Sequence, residues 1–128
     1  MNRRRFLTGL LAATGLATGS ARARPARRLL IQESAVAGFQ YHQGQVVFDR
    51  LAVGQPLDLV REPDNRFDRR AVRIDWQGHK LGYLPRAENA AVAQMLDRGE
   101  QLTATISQRR AEANPWRRLV VRVEVATG

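Results

Sequence analysis

Short runs in which apolar and polar residues alternate recur along most of the chain. Alternation over about four to eight residues is typical of a β-strand that buries one face. We therefore predict strands over residues 57–61, 71–76, 80–84, 102–106 and 119–125. A short apolar run rich in leucine and isoleucine predicts a first strand over residues 29–34 that continues through 36–39. Gln77, Gly78 and His79 form a turn that joins two of these strands into a β-hairpin.

One segment has a helical period instead. Residues 86–98 follow Pro85 and precede Gly99, which is suited to end a helix in the left-handed conformation. The apolar stripe of this helix consists of Ala91, Val92, Met95 and Leu96. Six strands and one helix predict a small, mostly antiparallel barrel or strongly curled sheet, with the helix packed against it.

The segments between these elements are polar. Residues 41–44 are predicted to form a turn, and residues 62–68 a structured loop, because proline, aspartate and asparagine favour turns. Residues 24–28 are predicted to be a flexible basic lead-in. The large apolar residues expected in the core, rather than in contact with a ligand, are Phe39, Phe67, Ile74, Trp76 and Leu81.

Composition excludes several classes of site. The chain has 128 residues, 44% hydrophobic and 26% charged, which suits one globular domain with at most a short additional segment. It has no cysteine, which excludes disulfides, thiol nucleophiles and cysteine-ligated zinc. Asp64, Asp68 and Asp75 match no calcium-loop spacing, and roles in turns account for them better. We expect no metal site and no cofactor.

Motifs for catalysis are also missing from the sequence. No serine lies in a G-x-S-x-G elbow, neither His42 nor His79 has a recognisable triad context, and there is no glycine-rich phosphate loop. We therefore expect no catalytic residues and a protein that is not an enzyme.

The N-terminus has the three parts of an export signal. Arginines at positions 3–5 precede a weakly apolar stretch that runs to Leu16, and an Ala-x-Ala sequence ends at Ala23. This resembles a bacterial twin-arginine signal, so we predict that residues 1–23 are a signal peptide cleaved after Ala23. The mature protein is then expected to be periplasmic or secreted, without insertion in a membrane, since no second apolar segment of about 18 residues follows.

The charge favours an anionic partner. Lysine and arginine total 21 against 12 acidic residues, a formal charge of +9. Loss of residues 1–23 removes four arginines and no acid, which leaves 17 bases against 12 acids and a charge of +5. Nucleic acids, acidic glycans and membrane surfaces attract such a protein, although codon bias alone also produces arginine-rich chains.

Two motifs point to a family. Residues 61–72 contain the pattern R-E-x-x-N-x-x-D-x-x-A-V, and residues 82–85 read G-Y-L-P. Together they resemble the HIRAN domain, a module of some Swi/Snf-class DNA translocases that also occurs as a free-standing bacterial protein. The resemblance covers residues 35–126, with a basic lead-in and first strand at 24–34. It implies a mostly β, six-stranded OB-like barrel with one packed α-helix that captures the 3′-hydroxyl end of single-stranded DNA without chemical turnover.

The resemblance also implies site residues. Tyr41 corresponds to an aromatic residue that stacks on the terminal base, Asp68 to the acceptor of the terminal hydroxyl, and Asn65 to a loop amide that shapes the pocket. The other positions that match the family site are Gln40, His42, Tyr83 and Trp116. DNA-binding members have arginine and two tyrosines where this chain has Gln40, Tyr41 and His42, so we expect weaker attraction to phosphate. Arginines that could compensate are Arg61, Arg66, Arg69 and Arg70, and of these Arg69 is included in the candidate site.

Three functions remain open at this point. The first is binding of nucleic acid, preferably a single-stranded DNA 3′ end. The second is an envelope or extracellular interaction module that holds a glycan or a protein partner in the same pocket, because OB-like barrels also accept oligosaccharides. The third, a nuclease or other hydrolase, has the least support, since no base or metal cluster can be named.

Overall fold

Six antiparallel strands form where the sequence alternates. The computed structural model describes residues 27–127, so the predicted signal peptide lies outside the described residues. The strands are β1 (Arg27–Ala35), β2 (Pro56–Arg61), β3 (Val72–Trp76), β4 (His79–Tyr83), β5 (Leu102–Arg109) and β6 (Leu119–Thr127). The α-helices are α1 (Gly44–Val47) and α2 (Ala90–Asp97), and 3-10 turns cover Phe39–Tyr41, Phe48–Arg50, Arg86–Glu88 and Pro115–Arg117.

The sheet curls until its two ends meet. Its strand order is β1-β6-β5-β2-β3-β4, and all pairs are antiparallel. Just after β1, the Ala37 N–H donates to the Tyr83 carbonyl at 2.8 Å, and the Tyr83 N–H donates to the Ala37 carbonyl at 2.9 Å. Gly82 permits this approach, because a Cβ there would collide with the Ala37 carbonyl oxygen. The predicted six-stranded OB-like barrel is confirmed.

The barrel interior is filled by branched aliphatic residues and one phenylalanine. Phe39 is fully buried and meets the Phe48 ring edge to face, with centroids 6.0 Å apart. Gly44 packs directly beneath Phe39, so closely that a Cβ on Gly44 would overlap the ring. The other large, fully buried side chains are Ile74, Leu81, Leu84, Ile106, Leu119, Val36, Val47, Val72, Val92, Val121 and Val123.

The helical regions differ from the prediction. The single helix expected over residues 86–98 is divided into a 3-10 turn and α2, with the buried Asn89 between them. Val92 and Ala93 are buried on α2, whereas Ala91 is exposed, so the predicted stripe was wrong at that position. Helix α1 was not predicted, because four residues are too few to show a helical period.

The β-hairpin forms as predicted. Trp76 pairs with His79, and the two residues between them have positive φ, 46° for Gln77 and 81° for Gly78, as a type I′ turn requires. Strand β1 starts at Arg27, within the segment predicted to be a flexible lead-in. In the part of the chain that the structure describes, every helix is too short or too polar to cross a membrane.

Candidate functional site

A groove of about 630 Å³ opens beside the barrel closure. Its walls come from the chain after Ala37, from the loop between β2 and β3, and from the end of β4. Five predicted site residues line it: Tyr41, His42, Asn65, Asp68 and Tyr83. An adjoining depression of about 500 Å³ shares the loop wall and includes Arg69. The structure therefore brings most of the predicted site residues together.

Asn65 builds the loop wall. Its Oδ1 accepts hydrogen bonds from the backbone N–H groups of Phe67 (2.9 Å) and Asp68 (3.1 Å), an arrangement that turns the chain back on itself. Its Nδ2 donates to Glu62 Oε1 at 3.0 Å. These bonds occupy both ends of the amide, so Asn65 shapes the groove through its neighbours.

Glu62 connects this loop to two strands. Its Oε1 also accepts the Tyr83 hydroxyl at 2.8 Å, and its Oε2 accepts the Arg73 guanidinium at 2.9 Å. Partial burial raises the pKa of Glu62, but the hydrogen bonds from Asn65, Tyr83 and Arg73, with the charge of Lys80, outweigh it and hold that pKa below its ordinary value. Glu62 is therefore ionised and connects the loop to β3 and β4. Sequence reasoning missed this role, although the residue lies in the quoted motif.

Asp68 presents a carboxylate to the groove. Its Oδ1 accepts the Arg70 backbone N–H at 2.9 Å, and its Oδ2 accepts the Asn89 side-chain amide at 2.7 Å. Partial burial raises the pKa of Asp68, but these two bonds and the charges of Arg86 and Arg70 outweigh it, so the pKa lies below its ordinary value. Each carboxylate oxygen has two lone pairs, so Asp68 can still accept a hydroxyl donor from a ligand.

Two exposed aromatic rings line the groove. Tyr41 is 78% exposed, and Phe67 is 77% exposed. The prediction that Phe67 belongs to the core was wrong: it lies at the tip of the loop that Asn65 folds, where no strand presents an apolar face. Phe39, Ile74, Trp76 and Leu81 are buried as predicted. Exposed rings of this kind offer faces on which a base or a sugar can stack.

His42, Lys80 and Tyr83 meet at the β4 side of the groove. The Lys80 Nζ lies 4.7 Å from the Tyr83 ring centroid, and the His42 ring lies 5.8 Å from it, centroid to centroid. Burial and the Lys80 charge lower the pKa of His42, and Glu62 only partly opposes them. His42 is accordingly neutral near pH 7. Lys80 and Arg86 line the groove but were absent from the predicted site, because neither position was among those that the family resemblance marks.

Gln40 and Trp116 stay outside both depressions. Trp116 is 48% exposed on the 3-10 turn Pro115–Arg117, which adjoins the turn Phe39–Tyr41. Asn114 fixes that turn by accepting the Trp116 backbone N–H at 3.1 Å. The structure thus places Trp116 beside the groove and leaves Gln40 half-buried at its edge.

Two of the aspartates considered as metal ligands are engaged by other groups. Asp75 pairs with Arg73 at 3.0 Å on the hairpin, and Asp68 is held by the bonds described above. Among residues 27–127, no group of three or more histidine, aspartate and glutamate side chains is arranged to hold a metal ion.

Comparison with known proteins decides the family. The model of the HIRAN domain matches residues 30–126, most of the chain. The chain belongs to the HIRAN domain family. This HIRAN domain is similar in fold to the crystal structure of a protein from Lactobacillus plantarum, with a TM-score of 0.68 and 24% identity over 81% of this chain and 100% of that one. It is also similar to the HIRAN domain of human HLTF, with a TM-score of 0.60 and 19% identity over 77% of this chain and 78% of that one. No curated protein matches it significantly.

Proposed function

We propose that this HIRAN domain is a non-catalytic nucleic-acid-binding module that holds the free 3′-hydroxyl end of single-stranded DNA in the groove. The observation that carries the proposal is the ionised Asp68 carboxylate, which retains acceptor capacity in a groove that two exposed rings also line. Family membership supports nucleic acid as the ligand class.

The chemistry of a strand end matches the groove group by group. A terminal base can stack on Tyr41 or Phe67, which are exposed and aromatic. The terminal hydroxyl can donate to Asp68, which accepts but does not donate when ionised. The cations that line the groove are Arg66, Lys80 and Arg86, and none forms a salt bridge with an acidic side chain within the described part of the chain. They supply attraction for the phosphates.

We further propose that the domain acts outside the cytoplasm. The arginine cluster, weakly apolar stretch and Ala-x-Ala sequence of residues 1–23 support export, and the absence of cysteine is compatible with folding before translocation. Fractionation of cells that express the tagged protein, together with a variant in which Arg4 and Arg5 are both lysine, tests this. The variant is expected to remain in the cytoplasm, and equal export of both forms would contradict a twin-arginine route.

Asp68→Asn tests hydroxyl capture with little risk to the fold. The new side chain keeps an oxygen for the Arg70 N–H, and its amide can donate to Asn89 once the Asn89 amide turns over. Asn89 Oδ1 is buried without a hydrogen-bond partner among the described residues, so it is available for that bond. Asp97→Asn is the matched control, because it also neutralises an aspartate that accepts hydrogen bonds, here from Arg61, but this aspartate lies on α2, outside the groove.

Fluorescence anisotropy with short labelled strands measures the effect. The protein is expected to bind a strand with a free 3′ hydroxyl about tenfold more tightly than one blocked by a 3′ phosphate, since a hydrogen bond to a charged group contributes about 1.5–3 kcal/mol. Asp68→Asn should markedly reduce the difference, because its amide oxygen accepts only a neutral hydrogen bond, and Asp97→Asn should preserve it. Equal affinity of the unaltered protein for both ends would reject the proposal and direct attention to a glycan or protein partner.

A further inference from the structure

We propose that Lys80, assisted by His42, forms an anion subsite that takes the phosphate on the 5′ side of the terminal nucleotide. The inference rests on the proposed function. It identifies Lys80 as the residue that selects a negatively charged ligand and sets the direction in which a strand binds. Its ligand class is a nucleoside 5′-phosphate unit, either free or at the end of a strand.

The position of Lys80 is the first observation. It is the single lysine of the chain and lines the groove with its ammonium group over the Tyr83 ring, 4.7 Å from the centroid. No acidic side chain in residues 27–127 lies within salt-bridge distance of it. A compact ammonium without a carboxylate partner is suited to bind a phosphate as a point charge.

Backbone contacts fix Lys80 beside His42. The Gln43 N–H donates to the Lys80 carbonyl at 2.9 Å, and the Lys80 N–H donates to Gln43 Oε1 at 3.1 Å. These two bonds connect the turn that carries Tyr41 and His42 to strand β4. The backbone of Lys80 is therefore held next to the turn that carries His42 before a ligand arrives, which reduces the entropy lost on binding.

The negative charge nearby is already engaged. The charged groups that face His42 are Lys80 and Glu62, and both carboxylate oxygens of Glu62 accept hydrogen bonds from Tyr83, Asn65 and Arg73. Neutral His42 retains one N–H that can donate to a phosphate oxygen. This side of the groove therefore presents a hydrogen-bond donor and a cation, the groups that bind an anion.

The other cations of the groove are placed differently. Arg86 lies close enough to Asp68 to influence its titration, and the Arg66 guanidinium lies 5.9 Å from the Phe67 ring centroid. Gln40 does not line the groove. The groove thus has a hydroxyl acceptor at Asp68 on the loop wall and a cation for phosphate at Lys80 on β4, and two different groups on different walls would hold a nucleotide in one direction.

Lys80→Gln removes the charge but retains a polar side chain of similar reach. Arg98→Gln is the control, because Arg98 is 62% exposed at the end of α2 and the change alters the net charge equally. Binding of thymidine 5′-monophosphate and of thymidine to the full chain is followed by NMR chemical shifts. The unaltered protein and Arg98→Gln should bind the monophosphate about tenfold more tightly than the nucleoside, whereas Lys80→Gln should lose most of this preference and keep only the part that His42 and the arginines supply.

A strand assay completes the test. For single strands, the slope of log K against log salt changes by about 0.7 for each phosphate contact, so Lys80→Gln should lower its magnitude by about that amount and Arg98→Gln should not. A neutral methylphosphonate at the last linkage should remove the difference between Lys80→Gln and the unaltered protein.

The outcomes separate this inference from the proposed function. A monophosphate preference that depends on Lys80, combined with equal affinity for free and blocked strand ends, would retain the subsite and reject 3′-end capture. Equal or absent binding of thymidine and its monophosphate, or equal losses in Lys80→Gln and Arg98→Gln, would overturn the subsite.

Discussion

Replacing Glu62 by glutamine perturbs the network that shapes the groove while leaving the side-chain volume almost unchanged. The new amide oxygen can still accept from Tyr83 and Asn65, but the bonds lose their charge. The amide nitrogen would face the Arg73 guanidinium, so a 2.9 Å ion pair becomes two opposed donors. Arg73 retains only its pairing with Asp75.

The size of the effect follows from these contacts. A hydrogen bond to a charged group contributes about 1.5–3 kcal/mol and a neutral one about 0.5–1.5 kcal/mol. The Glu62 and Arg73 side chains are 22% and 30% exposed, so solvent screens part of the difference. We expect Glu62→Gln to lower the free energy of unfolding by about 2 kcal/mol, which corresponds to a fall in Tm of about 10 °C for a domain of this size.

Thermal and urea unfolding followed by circular dichroism measure this change. Asp97→Asn is the comparison, since it also removes a carboxylate from an arginine pair but at a side chain that is 55% exposed, and it should cost less than about 1 kcal/mol. A Glu62→Gln variant that is no less stable than Asp97→Asn would refute the reasoning that the network stabilises the loop.

The pH dependence gives the same experiment a second readout. The folded-state pKa of Glu62 lies below its ordinary value of 4.5. Its contribution to stability is therefore fully present above that value and is lost as the pH falls through the lower folded-state pKa. The unaltered protein should lose more stability between pH 7 and pH 3 than Glu62→Gln, and parallel pH profiles would contradict the assignment.

Three further predictions use other parts of the molecule. Gly44→Ala should cost about 1–3 kcal/mol in urea unfolding, because the added methyl overlaps the Phe39 ring; an unchanged midpoint would contradict that packing. Phe67→Ser should leave stability within about 0.5 kcal/mol while weakening strand binding in the anisotropy assay, since the ring is exposed in the groove; loss of stability would instead indicate a core role. Lys80→Gln should raise the pKa of His42 in an NMR titration, because the Lys80 charge lowers it; an unchanged pKa would contradict the placement of the Lys80 ammonium near His42.

The sequence predicted those parts of the fold that local patterns determine. Alternation and one short apolar run identified all six strands, although β1 ends at Ala35 and its predicted continuation through residues 36–39 was wrong, since Phe39 begins a 3-10 turn. The predicted turn at residues 77–79 marked the hairpin, in which Gln77 and Gly78 have positive φ and His79 already belongs to β4. Helix α1 could not be identified in this way, since it is shorter than two turns. Asn89 interrupts the predicted helix and bonds to Asp68, twenty-one positions earlier in the chain, a contact that no local pattern indicates.

The candidate site was predictable where the chain resembles the family. Asn65, Asp68 and Tyr83 lie in the two quoted motifs, Tyr41 and His42 match the family outside them, and all five line the groove. Phe67 is apolar and such residues are usually buried, yet the side-chain bonds that Asn65 makes to Glu62, three positions earlier, and to the Phe67 and Asp68 backbone fold a loop that leaves the ring exposed. Lys80 enters the groove because Gln43 bonds to its backbone from thirty-seven positions away.

The bridge between Ala37 and Tyr83 joins the two ends of the sheet, and both residues also line the groove. A bound molecule that contacts both residues would therefore link the two ends of the sheet reversibly. Binding to the folded state alone adds RT ln(1 + [L]/Kd), about 2.7 kcal/mol at a ligand concentration one hundred times Kd. The resistance of the barrel to opening at this closure would then rise with occupancy of the groove. The melting temperature of the protein would therefore report the fraction of molecules that hold a ligand.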